Sequence, residues 1–535
     1  MEIETIVLQN ENKVLQAYNH NEQFIHTFFD YKNEDGSYAE RMNELSGREY
    51  MRSELASVIQ SYMAPFGISS EASIHIEELA QDGIVVIGGQ QAGIMTGPLY
   101  SVHKAITVLL LAEQKRIQLN VPVVPVFWIA GEDHDLNEIN HVYTKTAGKV
   151  TKRQYDEKFV FKLMASDATY SQEKMISFIE DVFRQFGEAD YTKSLKESVL
   201  EAVKSEKTFT RFFVKLMNGL FKEKGLLFID SAYRPLRELE TKHFKKLISE
   251  AERLSELIVR REDVFEAAGY DRPIQAQLDA ANLFYVHETG RVLLSKKEGY
   301  FVNETTGIQF TEVEMLAMAD EQPWLLSNNV ATRPIIQDLV FPVLAFVGGG
   351  GEIAYWALLK DAFHHLGIKM PIIVPRISMT FITPKSKQLL NELSLSVEDV
   401  LAGKVQQDRE ELLASFHNEI FDRVLTETEH RLEKSYDELA SVASKGMKQI
   451  LEKNYRLHKK QFDYLKRKAE EELLIQHDVV LSKYDSLENE ILPVGTLQER
   501  IFTPYFFMNS YGASLVDDLL MQAMEMDGTH KIVYL

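Results

Sequence analysis

The 535-residue sequence contains no cysteine. That excludes a disulfide framework, a thiolate metal site and a cysteine nucleophile. It also has no run approaching eighteen apolar residues, the length a membrane-spanning helix needs. The N-terminus (MEIETIVLQNENK) carries acids where a signal peptide would carry a basic and then an apolar segment. Positive charge is scarce as well, with 59 Lys and Arg against 80 Asp and Glu and a net charge of −21. Phosphate-backbone binding draws its affinity from Lys and Arg, so a general grip on nucleic acid is not expected, and small-molecule or protein partners are. The expected setting is cytoplasmic, with no contact with membrane.

Apolar residues make up 45% of the chain, enough for several packed cores, and the length suggests about three to four structural units. Five short runs share one grammar: Ile84–Ile87, Val121–Ile129, Leu226–Ile229, Val343–Val347 and Pro371–Pro375. Each is rich in β-branched residues, lacks polar alternation and ends at a glycine or polar turn. Such strands are buried on both faces, and helical segments between them imply right-handed crossovers of a parallel sheet. The expected fold is therefore α/β, a Rossmann-like doubly wound core spanning residues 1–385. Uneven spacing places insertions at about 145–225 and 231–330. The second contains a meander over Leu283–Val286, Arg291–Leu294 and Tyr300–Val302, turned at Thr289-Gly290 and Glu298-Gly299. The first eighty residues read as helical, most clearly Tyr50–Met63.

From 386 to about 490 the pattern changes. Leu425, Leu432 and Leu439 stand seven apart, as do Tyr436, Ala443, Ile450, Leu457 and Tyr464, which is coiled-coil spacing. The register shifts near Ser441–Gly446, predicting two long helices with a break there. Their unshared apolar faces suggest pairing into a homodimer. Residues 491–535, with the aromatic stretch LQERIFTPYFFMNSYG, are expected to pack back on the core.

Five stretches could carry chemistry. In IVVIGGQQAGIMTGPLYSVHKA a buried strand opens into Gly88, Gly89, Gly93 and Gly97 and then a helix with His103 and Lys104. Gln90, Gln91 and Thr96 add side-chain donors. Ligands of open α/β sheets sit beyond the carboxyl ends of strands, where glycine admits close approach; a tight strand-to-helix turn is the competing explanation. The spacing is neither GxGxxG nor a Walker loop. In FWIAGEDHDLNEINHVY, Trp128 ends the second strand, and Glu132, Asp133 and His134 follow it, placed for substrate binding or acid–base work. If Asp133–Tyr143 is helical, His134, Glu138 and His141 share a face. That face is polar surface or, less in keeping with zinc-site spacing, a metal ligand set, and no metal site is assigned. In VLAFVGGGGEIAYWALLKD, Gly348, Gly349, Gly350 and Gly351 precede a helix containing Tyr355; four glycines cost entropy that close ligand approach would explain, with close strand–helix packing as the competing explanation. Upstream, Arg333 could grip a carboxylate or phosphate, or be a surface arginine. Lys385, Ser386 and Lys387 follow the fifth strand and either attract phosphate or solvate a helix start. Between Lys445 and Lys468, nine Lys and Arg meet two acids, which fits a nucleotide contact or a charged coiled-coil flank.

GQQAGIMTGPLYSVHK, VFWIAGEDHDLNEINHV and FVGGGGEIAYW, in that order, resemble the cysteine-adding enzyme family of bacillithiol biosynthesis, and the resemblance spans the whole chain. It implies a cytoplasmic enzyme similar in outline to class I aminoacyl-tRNA synthetases, with connecting insertions and an added coiled coil that pairs subunits. The implied reaction joins L-cysteine to the amine of glucosaminyl malate, with ATP and Mg²⁺ as the inferred activating pair. The synthetase His-Ile-Gly-His and Lys-Met-Ser-Lys-Ser signatures correspond only to SVHKA and PKSKQ here, which puts nucleotide binding on Lys385, Ser386 and Lys387. His103 and Lys104, aided by Lys385 and Lys387, would stabilise the leaving phosphate, and Glu132, Asp133 or His134 would bind the cysteine ammonium or take the amine proton. Two other readings stand beside this one: a non-catalytic nucleotide-binding scaffold assembled through the coiled coil, and a synthetase-like protein acting on tRNA, which the acidic balance weakens.

Overall fold

A computed structural model describes residues 1–8, 12–146, 148–157, 162–416 and 419–535. The chain divides into two compact units, one built from Met1–Thr146, Val150–Ile382 and Thr496–Leu535, the other principally from Thr383–Gly495.

The first unit is organised by a five-stranded sheet. Its strands, in chain order, are β1 (Ile84–Gln90), β2 (Val123–Ile129), β3 (Leu227–Asp230), β4 (Val343–Gly348) and β5 (Ile372–Pro375). They lie in the order β5-β4-β1-β2-β3, and every pair is parallel. All five of the apolar runs are thus strands of one sheet. Apart from Gln90, their residues are buried, as continuous apolar runs without alternation require. Helix α1 (Leu99–Leu119) crosses from β1 to β2, with Pro98 at its N-cap and Asn120 in the left-handed conformation at its end. Helices α2 (Thr332–Val340) and α3 (Gly350–Trp356) flank β4.

The segment between β2 and β3 holds, beyond a short helix over Leu136–Ile139, the longer helices Gln172–Phe186, Thr192–Ser205 and Phe209–Phe221. The segment between β3 and β4 carries the expected meander, enlarged to five antiparallel strands by Ile308–Thr311 and Leu326–Asn328 at its edges. The first eighty residues are not wholly helical. Glu2–Ile6 is a strand pairing antiparallel with His530–Tyr534, which runs parallel to Ser378–Ile382. A five-residue strand at a chain end has too little periodicity to announce itself, and its partner lies more than 500 positions away.

The second unit is helical. Glu419–Val442 and Lys445–Gln476 form a hairpin broken at the predicted place, where Ser444 caps the second helix through Met447 N. Lys466 pairs with Glu429 at 2.8 Å, and the rings of Tyr436 and Tyr455 lie 5.4 Å apart, so the helices are antiparallel. Among the described residues no helix is long and apolar enough to cross a membrane.

Candidate active site at the sheet switch point

In the order β5-β4-β1-β2-β3 the chain leaves β1 toward one side and β4 toward the other. The loops beyond their carboxyl ends therefore part and leave a crevice, the general ligand position of such sheets. Here it is a cleft of about 350 Å³.

One wall follows β1. Gly88 lets α1 lie against the strand: a Cβ there would come within 2.9 Å of Val108 and 3.1 Å of Lys104. The close packing brings Lys104 Nζ to Gly89 O at 2.6 Å, to Gln90 Oε1 at 3.1 Å and to Glu352 Oε2 at 2.5 Å. Lys104 is 1% exposed; burial pushes its ammonium below the usual lysine value, and Glu352 opposes that shift. Glu352 also accepts Gly349 N–H at 2.9 Å, closing the first turn of α3. Gln91 spans to the loop after β2, donating to Asp133 Oδ2 and Glu138 Oε2, both at 2.6 Å.

The opposite wall follows β4, where Gly349, Gly350 and Gly351 border the cleft together with Glu352, Tyr355 and Arg333. Arg333 pairs with the Tyr355 hydroxyl rather than with a carboxylate, and this phenol is raised by its burial. Arg376, directly after β5, and Arg500 complete the rim with Tyr100 from the first turn of α1. Four cations thus converge on a space bordered by two carboxylates, Asp133 and Glu352.

The expected residues therefore separate into three groups. Gly89, Gln90, Gln91, Lys104 and Asp133 border the cleft from the β1–β2 side, and Arg333, Gly349–Gly351 and Tyr355 from the β4 side. A second group lies behind or away from it. Helical phase turns His103 inward while Tyr100 and Lys104, one turn apart, face the opening. The His103 imidazole is fully buried, bonded through Nδ1 to Glu499 Oε2 at 3.0 Å, and held neutral by burial against the pull of Glu499. Glu132 is spent on Arg237 and on Asn328 N–H. Trp128 packs its indole in the core edge-on to Phe341. Gly93 and Gly97 make a tight turn, since a Cβ on Gly93 would lie 2.6 Å from Gly97 Cα, and Thr96, at φ +67°, bonds its hydroxyl back to Met95 O. Gly348 is confined by Phe346 and the Glu352 stem.

The helix expected over 133–143 is a correction. Only Leu136–Ile139 is helical, and His141–Thr146 is a strand. Asp133 Oδ1 accepts His134 N and Asp135 caps Asn137 N, which locks a turn, and the β-branched residues that follow extend the chain. His134, Glu138 and His141 therefore share no helical face, and no described cluster of three or more His, Asp and Glu could hold a metal ion. His134 stands edge-on to Phe284, with burial and Arg291 lowering its pKa.

The third group, Lys385, Ser386 and Lys387, opens the helix Pro384–Leu393 of the second unit. Thr383 caps that helix through Ser386 N, and the Ser386 hydroxyl bonds Glu490 at 2.5 Å. Besides Ala130, four polar cleft residues escaped the sequence reading. Glu352 and Tyr100 sat unremarked inside the quoted stretches, and Arg376 stands at a strand's carboxyl end, where the same rule would have found it. Nothing local marks Arg500.

The model for bacillithiol biosynthesis BshC, N-terminal Rossmann-like domain, matches residues 1–377, and that for the BshC C-terminal coiled-coil domain matches 379–535. A protein of Lysinibacillus sphaericus named "Putative cysteine ligase BshC" is 42% identical over 538 residues, covering all of both chains. Proteins of the same name from a Geobacillus species and from Bacillus cytotoxicus are 35% and 33% identical, covering 92% and all of each chain. With a parallel sheet, a switch-point cleft and a helical hairpin unit in place, and with matches that run from end to end, this chain belongs to the BshC family of bacillithiol biosynthesis.

Proposed function

We propose that the chain is an amide-forming ligase that joins the carboxyl group of L-cysteine to the amine of glucosaminyl malate. The reading rests on one observation above all: Lys104, Arg333, Arg376 and Arg500 converge on the switch-point cleft beside a run of bare glycine backbone. Lys104 pairs with Glu352 and Arg376 with Glu499, while Arg333 is bonded to a phenol, so the four cations outnumber the carboxylates beside them and a neutral or cationic substrate would leave that excess unmatched at a partly desolvated site. An anionic sugar acid and a carboxylate activated through phosphate both supply the missing charge.

Amide formation from a free carboxylate in water is uphill, so cysteine must be activated first. With ATP, the carboxylate displaces pyrophosphate to give cysteinyl adenylate; the amine then attacks the acyl carbon, releasing AMP and a proton. The cleft suits the phosphates better than it suits their metal, because Glu352 and Asp133 already hold Lys104 and Gln91. Mg²⁺ would arrive with the nucleotide and be held chiefly by it, and no step is assigned to it. Lys104 and the arginines stabilise charge growing on the departing pyrophosphate, where one well-placed donor contributes about 10²–10³ in rate. Asp133 is the carboxylate on the β2 side that can hold an ammonium or take the amine proton. Aligning amine and acyl group supplies a further part, for which roughly 7–11 kcal/mol is available.

The helical hairpin supports assembly as a homodimer: Val424, Leu439, Ile450 and Leu457 are about half exposed within one chain, an apolar stripe that a second copy would cover. The test of function is direct. Purified protein, cysteine, glucosaminyl malate, ATP and Mg²⁺ are combined and the products read by mass spectrometry. Bacillithiol with stoichiometric AMP is expected; nucleotide binding without product would leave a scaffold instead.

A further inference from the structure

We propose that the turn Gln498–Arg500 is a working wall of the cleft, in which Glu499 and His103 are positioning residues that aim Arg376 at an anionic ligand. The proposal rests on the cleft being the ligand site.

The three residues of this turn have three separate tasks. Gln498 bolts the turn to the neighbouring strand by bonding both backbone groups of Phe381, accepting from N at 2.8 Å and donating to O at 2.9 Å. Glu499 meets Arg376 fork to fork, at 2.9 Å from Nη1 to Oε2 and 2.7 Å from Nη2 to Oε1. Arg500 faces the cleft itself. Two residues on, Phe502 O accepts Leu99 N at 2.8 Å and ties the segment to the first turn of α1.

Glu499 is saturated. Besides Arg376, its Oε2 accepts Met379 N at 3.1 Å and His103 Nδ1 at 3.0 Å. Burial alone would raise this carboxyl, but Arg376 and His103 together outweigh it and hold the group well below the usual range. An ionised Glu499 fixes His103 as the Nδ1–H tautomer, a neutral donor in a closed pocket. The main chain of His103 reaches the arginine by a second route: its carbonyl accepts a hydrogen bond from the Thr107 hydroxyl at 2.7 Å, and Thr107 Oγ1 accepts Ile377 N–H at 3.1 Å. Meanwhile Arg376 N bonds Gly348 O at 2.9 Å, anchoring the arginine's backbone to the end of β4.

Replacing a buried ion pair by apolar residues is often neutral or stabilising, so stability alone does not require this arrangement. What an apolar pair cannot do is present a rigid guanidinium to a cleft. Arg376 has a side chain only 8% exposed, yet it lines the opening and lies over the Tyr100 ring at 5.8 Å. Bidentate support from behind sets its plane, and a planar donor set is what carboxylate and phosphate recognition uses.

The experiment compares wild type with R376A, E499Q, H103A and H103N. Each is checked for an unchanged melting transition, then titrated calorimetrically with ATP and with glucosaminyl malate, and assayed for kcat and KM. Loss of a charge-assisted bond from R376A should weaken one of the two ligands by about 10- to 100-fold. E499Q and H103A should weaken the same ligand by about 3- to 10-fold and leave the other unchanged, since they misdirect rather than remove the charge. Asn at 103 places an N–H near the position of Nδ1, so H103N should recover most of what H103A loses. The proposal is overturned if wild type binds neither ligand, if R376A binds both normally, if E499Q and H103A leave the Arg376-dependent ligand at wild-type affinity, or if H103N is as defective as H103A. If wild type binds the ligands but makes no bacillithiol, the ligase reading fails while the binding titrations still judge the positioning role.

Discussion

Gly351 offers a test of whether a glycine is kept for a ligand or for the fold. It occupies the first turn of α3 at the cleft, and a Cβ built there meets nothing within 4 Å. Its φ is not in the left-handed region, so alanine can adopt it. In a helix, Ala is better than Gly by about 0.8–1.0 kcal/mol in the interior, and roughly half that is reasonable in a first turn. Gly351→Ala should therefore raise the urea midpoint slightly while harming function. A methyl group forced into a packed contact costs about 1–3 kcal/mol, or roughly 5- to 150-fold in KM for the ligand that lies against it. Gly89→Ala is the contrasting case. Its Cβ would lie 2.5 Å from the Trp128 carbonyl oxygen, backbone of the neighbouring strand that cannot swing aside. That variant should lose about 1–3 kcal/mol of stability by overpacking. The assays are urea unfolding and steady-state kinetics on both proteins. Wild-type KM and kcat in G351A would refute the idea that bare backbone there serves ligand approach.

Three further outcomes follow from buried charge. Lys104→Met keeps the length of the stem and removes the donor to Gly89 O and Glu352; kcat/KM should fall by about 10²–10³ with the circular dichroism spectrum unchanged. Burial lifts the Asp230 carboxyl from 3.8 to about 6. The unfolded chain is then ionised between those values while the folded one keeps its proton, so stability drops by about 3 kcal/mol as pH rises through that window. Asp230→Asn retains both side-chain bonds, and its stability relative to wild type should grow by about that amount between pH 4 and pH 7 in urea titrations. His530 has the opposite slope. Enclosed by the Ser378 and Thr380 hydroxyls, each 2.8 Å away, it is pushed down from 6.5 to about 4 by burial. Its contribution is complete above pH 6.5 and about 3 kcal/mol is lost by pH 4, and His530→Gln should flatten that part of the profile.

The parallel sheet was legible because unbroken runs such as Val123–Ile129 have no polar face to offer water, and only a doubly covered strand accommodates them. The hairpin break was legible because a heptad seam loses phase where its helix ends. The cleft was half legible. Strand-end reasoning finds Gln90, Asp133 and Gly350, but it cannot tell which side of α1 will face the opening, so His103 and Lys104 looked equivalent. Three-point-six-residue phase decides between them only once Gly88 shows where the helix touches the strand. Glu132 and Asp133 pose the same problem, adjacent carboxylates pointing to opposite sides of the backbone, one consumed by Arg237 and the other left at the rim. The turn at 498–500 was least accessible. Its partners lie at 103, 376 and 381, and no local pattern encodes contacts across so much chain.

The charge of the whole protein and the charge of the cleft have opposite signs, and the two operate at different ranges. At physiological ionic strength the screening length is about 8 Å, so a ligand a few ångströms across inside the cleft responds to Lys104 and the three arginines, and hardly to acids on the far surface. A long polyanion lies over tens of ångströms of that surface and meets the excess of 80 acids over 59 bases. Local cations in an acidic molecule would therefore select for small anions and against nucleic acid, by the same electrostatics that would let a uniformly basic protein bind both. The selection has a measurable signature. Raising salt from 50 to 200 mM should weaken glucosaminyl malate binding by no more than about tenfold, because few charges are exchanged, whereas a protein gripping six to ten phosphates would lose about 10³–10⁵. A steep slope of the latter kind would mean that the anionic ligand is a polymer, and that the cleft is only the end of a longer track.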